Sequence, residues 1–126
     1  MQATSEQRRI GSDDDLLKNT VHHLLYEARE GANERRAENR EPFFSLVRLS
    51  FAEDPRRQYS CFSRDISATG IGLLHFMRVE PGEIVLKIPS KSFGDVRMRC
   101  EVVWCRPCGE GWYVSGARFV EVLGVD

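Results

Sequence analysis

From residue 43 onward the chain alternates short apolar segments with tight turn signals, and no helical periodicity intervenes. The segments are FFSLVRLSF (43–51), QYSCFSRDI (58–66), IGLLHF (71–76), EIVLKIP (83–89), VRMRCEVVWC (96–105) and WYVSGARFVEV (112–122). In the first, Val47, Leu49 and Phe51 alternate with polar neighbours, which sends one face to a core and the other to water. Between the segments lie AEDPRR, SATG, Pro81-Gly82, Gly94-Asp95 and the stretch from Gly109 to Gly111. These residues stop strands and accept turn geometry. Six strands joined by connections too short for crossover helices predict an antiparallel all-β sandwich or barrel. About 80 residues in this arrangement suit a small closed barrel, which removes exposed edges.

Upstream the pattern changes. Asp13, Asp14 and Asp15 offer an N-cap and negative charge at the positive end of a helix dipole. Leu17, Val21, Leu24, Leu25 and Ala28 then recur at helical spacing, and Gly31 is a C-terminal stop. The spacing predicts a helix over 13–31, preceded by a polar, unpatterned tail over 1–12, with 32–126 forming the barrel domain and its leading segment. One such helix must bury its stripe, either on the barrel or on a second copy in a homodimer. A chain of 126 residues with 41% hydrophobic residues fits one core. The net charge of −1 argues against long nucleic acid as a partner, so any bound anion needs a local cluster of positive charge. No apolar run approaches the roughly 18 residues of a membrane span, and no signal-peptide core opens the chain. A cytoplasmic location is the expectation, and there Cys61, Cys100, Cys105 and Cys108 read as free thiols.

Two polar clusters interrupt the apolar pattern, and both sit at strand boundaries. The first is Arg35-Arg36-Ala37-Glu38-Asn39-Arg40, just before the first strand. The second is Arg64-Asp65-Ile66-Ser67-Ala68-Thr69-Gly70, between the second and third. A guanidinium is a planar fork of donors that suits phosphate oxygens and guanine O6 and N7, and it stacks on a base. The Asp65 carboxylate can accept from the N1 and N2 donors of guanine. Ser67 adds a small hydroxyl, and Gly70 permits close backbone approach or positive φ. A guanine nucleotide that needs no metal fits this inventory best.

Arg36-x-x-x-Arg40 followed by Asp65-x-Ser67-x-x-Gly70 resembles the paired signature of the PilZ domain family. Its members are bacterial cyclic di-GMP receptors on a six-stranded β-barrel. The similarity runs from about Glu34 to Val122 and includes Pro81-Gly82, Val102-Val103-Trp104 and Gly116-Ala117-Arg118-Phe119. Either half of the signature is weak alone, but the two halves in order around one strand pair are specific. The resemblance implies that Arg36 and Arg40 grip phosphates and guanine faces, that Asp65 and Ser67 read a guanine edge, and that Gly70 shapes the turn. It also implies that Arg35 helps set ligand stoichiometry, in the manner of members that take an intercalated nucleotide dimer. The added helix and the cysteine-rich fifth strand depart from the family pattern.

Other residues carry rival readings. Trp104-Cys105-Arg106-Pro107-Cys108 looks like a thioredoxin WCxPC site, yet a Gly-Glu-Gly turn and a strand follow it rather than a helix. Cys100, Cys105 and Cys108 offer three zinc ligands but no second pair to complete a site. His22 and His23 point about 100° apart on a helix, so neither they nor the lone His75 suggest a metal. Arg97, Arg99 and Arg118 read as the wet face of the barrel, with the alternative that one lines the nucleotide site. Trp104 and Trp112 read as core or rim packing. No nucleophile-base pair or paired carboxylates stand out, so neither catalysis nor a cofactor is expected. The expected function is a cyclic di-GMP receptor that relays binding to a protein partner. The rivals are an interaction module that ignores nucleotide and a thiol redox protein using Cys105 and Cys108.

Overall fold

The computed structural model describes residues 15–28, 41–91 and 94–125. Six strands follow one another as β1 (Glu41–Phe51), β2 (Asp54–Ile66), β3 (Gly70–His75), β4 (Gly82–Ser90), β5 (Gly94–Gly109) and β6 (Trp112–Val125). All pairings are antiparallel, in the order β1-β2-β3-β6-β5-β4, and β1 pairs back onto β4 to close a barrel. The expected all-β architecture with an N-terminal helix is therefore the fold. Period-two alternation builds the core: Val47 and Leu49, Ile71 and Leu73, Ile84, Leu86 and Ile88, and Val96, Met98 and Cys100 are all buried.

Strand limits differ from the sequence expectation in places that have a physical cause. β2 begins at Asp54, inside the AEDPRR stretch read as a turn, because Phe51 pairs directly with Asp54 across a two-residue loop. Pro55 lies between the Asp54 and Tyr59 pairings, where the β1 register shifts and no ladder donor is needed. β5 continues through Cys105 to Gly109, and Glu110 (φ 56°) with Gly111 (φ 84°) forms the turn into β6. Positive φ at both turn residues is the type I′ geometry that matches strand twist.

The helix α1 covers 15–28 of the described residues. Val21, Leu24, Leu25 and Ala28 join the same buried cluster as the barrel interior, so the apolar stripe is buried on its own barrel. Its last turn sits where β1 begins and β4 ends. There the Glu27 carboxylate accepts hydrogen bonds from Ser90 Oγ (2.9 Å) and the Lys91 amide (3.2 Å). The tail over 1–12 and the helix limits expected at 13 and 31 lie outside the described residues. No helix among the described residues is long and apolar enough to cross a membrane.

Candidate functional site

The ladder between β1 and β2 pairs Glu41 with Ile66 and Pro42 with Asp65. The point where the chain enters the barrel therefore lies directly against the end of β2 that carries the Asp-Ser-Gly turn. Ser67 is buried and organises that turn: its amide donates to the Gly70 carbonyl (2.9 Å), and its Oγ accepts from the Gly70 (3.2 Å) and Thr69 (3.3 Å) amides. The Phe119 amide donates to the Thr69 carbonyl (2.9 Å) and ties the turn to β6. Gly70 acts through close approach rather than positive φ, since a Cβ there would stand 2.4 Å from the Ala117 carbonyl oxygen.

Beside the turn, four strands align one outward row. Asp65 pairs with Gly72, Gly72 with Gly116, and Gly116 with Trp104. The neighbouring positions Ile66, Ile71, Leu73, Ser115 and Ala117 are buried, which fixes the row as outward-facing. A Cβ on Gly72 would lie 2.5 Å from Asp65 Oδ1, and one on Gly116 would lie 2.5 Å from Trp104 Nε1. The two glycines thus let a carboxylate and an indole lie close against the sheet from opposite sides. Above them opens a cavity of about 310 Å³, lined among others by Arg64, Asp65, Gly70, Gly72, Trp104, Gly116 and Arg118.

The structure gathers Asp65 and Gly70 into one cavity, with Ser67 behind it as the brace of the turn. Arg35, Arg36 and Arg40 lie outside the described residues. Four further residues, Trp104, Arg118, Gly72 and Gly116, line the cavity. Trp104 is 38% exposed and lines the cavity rather than the core, with the Arg106 guanidinium over its ring at 4.6 Å. Arg118 lines the cavity too and is ion-paired with Glu101, whereas Arg99 faces away to Glu121 at 2.6 Å. Gly72 gave no motif signal, and Gly116 stood out only as part of the Gly116-Ala117-Arg118-Phe119 stretch. Trp112 is rim packing on the outer face, 3.7 Å between ring centroids from Phe76.

The rival constellations look different in three dimensions. Cys105 and Cys108 sit three residues apart on the extended β5, where Cα atoms lie about 10 Å apart, beyond the roughly 7 Å a disulfide spans. No helix N-terminus follows to activate a thiolate. Burial pushes the Cys61 thiol up to about 12 and raises Cys100 as well, which makes both inert. His75 is buried, with Nδ1 2.7 Å from the Met77 carbonyl and Nε2 2.8 Å from Ser115 Oγ, a structural bridge between β3 and β6. Among the described residues no three His, Cys, Asp or Glu side chains group as a metal site.

The described residues thus form a closed six-stranded antiparallel β-barrel with a glycine-floored cavity beside its chain-entry strand. The PilZ domain family model matches residues 34–125, and the chain belongs to that family of binding and adaptor domains. The match takes in the arginine cluster and the Asp-Ser-Gly turn together. A search of curated proteins finds no match.

Proposed function

We propose that the chain is a bacterial cyclic di-GMP receptor whose site is divided between the ERRAENR segment and the cavity on the barrel. The observation that carries this reading is the outward row Asp65–Gly72–Gly116–Trp104 at the strand end where the arginine segment joins β1. Asp65 supplies acceptors for the N1 and N2 donors of a guanine, and the Trp104 indole supplies a stacking surface. Arg36 and Arg40 grip phosphates and guanine faces, and Arg35 selects between one and two nucleotides. Ser67 and Gly70 hold the turn that aims the carboxylate. Arg40 is bonded to Glu41, whose ladder partner is Ile66, so a short reach spans the two halves.

The arginine segment connects α1 to β1. Nucleotide held by both the segment and the barrel therefore biases how α1 sits on the barrel end, and a protein partner reads the change. Titration calorimetry with cyclic di-GMP on the intact chain is the direct test. Saturable binding that is lost in Arg40→Ala and Asp65→Ala supports the reading. No binding by the unaltered chain would overturn it, and binding indifferent to both substitutions would overturn the site.

A further inference from the structure

The row next to the cavity floor is mostly apolar and faces outward, with Leu46 exposed and Phe62, Leu74 and Val114 half-buried. Leu46 pairs with Phe62, Phe62 with Leu74, Leu74 with Val114, and Val114 with Arg106. Their chain neighbours Val47, Cys61, Ser63, Leu73, His75 and Ser115 are buried, so this row also points outward. Phe44 stacks on Phe62 at 5.5 Å and is 76% exposed. Trp112 lies 6.4 Å from Phe62 and 3.7 Å from Phe76, which is itself 63% exposed. Single exposed apolar residues are ordinary on a protein surface, but a contiguous aromatic face across four strands of a small barrel marks an interaction site.

The chemistry around this face narrows its occupant. Phe62, Leu74 and Val114 are each paired on both sides, so no free strand edge is offered here. A partner must meet side chains and keep its own backbone hydrogen bonds, which favours a helix. The rim carries Arg48 beyond Leu46, the exposed Arg64 where the face meets the cavity, and Arg106 at the far end of the row. None of the three meets a carboxylate among the described residues. We infer that this face of β1, β2, β3 and β6 docks an acidic amphipathic helix of a partner protein, with aromatic or leucine anchors on the Phe44–Phe62–Trp112 ridge and carboxylates on the three arginines. The aromatic ridge does not depend on the nucleotide reading, although the rim arginines Arg64, which lines the cavity, and Arg106, which lies over Trp104, border both surfaces.

The test is a selection of displayed random peptides of about 16 residues, long enough for four helical turns, against the intact chain. Expected winners are net acidic, carry Leu, Phe or Trp at helical spacing and shift amide resonances of Leu46, Phe62, Leu74 and Trp112. They lose about ten-fold or more in affinity for Phe44→Ser/Phe76→Ser, and a smaller factor for Arg48→Gln/Arg106→Gln, as truncated anchors and rim charges do. Circular dichroism and thermal unfolding of these exposed-site variants check that they remain folded. Winners that are basic or uncharged, that shift resonances elsewhere, or that ignore both variants would overturn the inference, as would a selection returning nothing above background. Concentration-dependent dimerisation abolished by Phe44→Ser would also overturn it, by assigning the face to a second copy.

Discussion

At the scale of single residues, the site depends as much on what is missing as on what is present. Gly72 and Gly116 leave room for Asp65 and Trp104 to lie against the sheet, and any Cβ there collides at 2.5 Å. Gly72→Val is expected to displace the carboxylate and weaken cyclic di-GMP binding by at least about ten-fold, the loss of roughly one charged hydrogen bond, while the barrel stays folded. Calorimetry beside a thermal unfolding curve separates the two effects. His75 makes a different point. Burial holds its imidazole below the ordinary 6.5, with the Met77 hydrogen bond partly opposing, so the folded protein keeps it neutral while the unfolded chain takes up a proton near 6.5. Its contribution to stability is whole above that pH and is lost as pH falls below it. Unfolding midpoints between pH 7 and pH 5 are expected to fall more steeply for the unaltered chain than for His75→Gln. The thiols sort by exposure: a maleimide at neutral pH is expected to label Cys108 quickly and to leave Cys61 and Cys100 unlabelled until denaturant is added.

At the scale of elements, α1 shows where the sequence was legible and where it stopped. Its stripe at Leu17, Val21, Leu24, Leu25 and Ala28 was visible as helical spacing, but a stripe does not name its counterpart. The counterpart is this chain's own barrel, held by core contacts and by Glu27 on Ser90 and Lys91. Leu24 is fully buried, so Leu24→Ala is expected to cost about 2–5 kcal/mol in denaturant unfolding. Strand number was equally plain, since alternation is local. The turn residues Asp65, Ser67 and Gly70 stood out because they are contiguous in the chain. Trp104, Gly116 and Arg118 were visible as parts of stretches that resemble the family, but their place beside Asp65 was not, because only the β3–β6 and β5–β6 registers create it, and register is a property of the closed sheet. The WCRPC stretch misleads for the same reason: its residue types suit a redox helix, while the β5–β6 hairpin holds it extended.

At the scale of the whole molecule, the barrel and α1 share one buried cluster, so the chain is expected to unfold as one body and ligand to stabilise it as one. Saturating the site at about a hundred times its Kd adds about 2.7 kcal/mol to unfolding, visible as a raised melting temperature. An Asp65→Ala chain is expected to show no such rise. The pairing order has a further consequence. β1 and β2, β2 and β3, β4 and β5, and β5 and β6 are neighbours in sequence, but β3 joins β6 across an intervening pair, and β1 joins β4 only when the ring shuts. Such distant pairings bear the largest loop-closure entropy and are among the last to form. The glycine floor straddles that β3–β6 seam, and the aromatic ridge crosses it as well. A chain emerging from the ribosome can thus complete neither surface until β6 has docked, so every molecule that presents either surface has already passed its own test of folding.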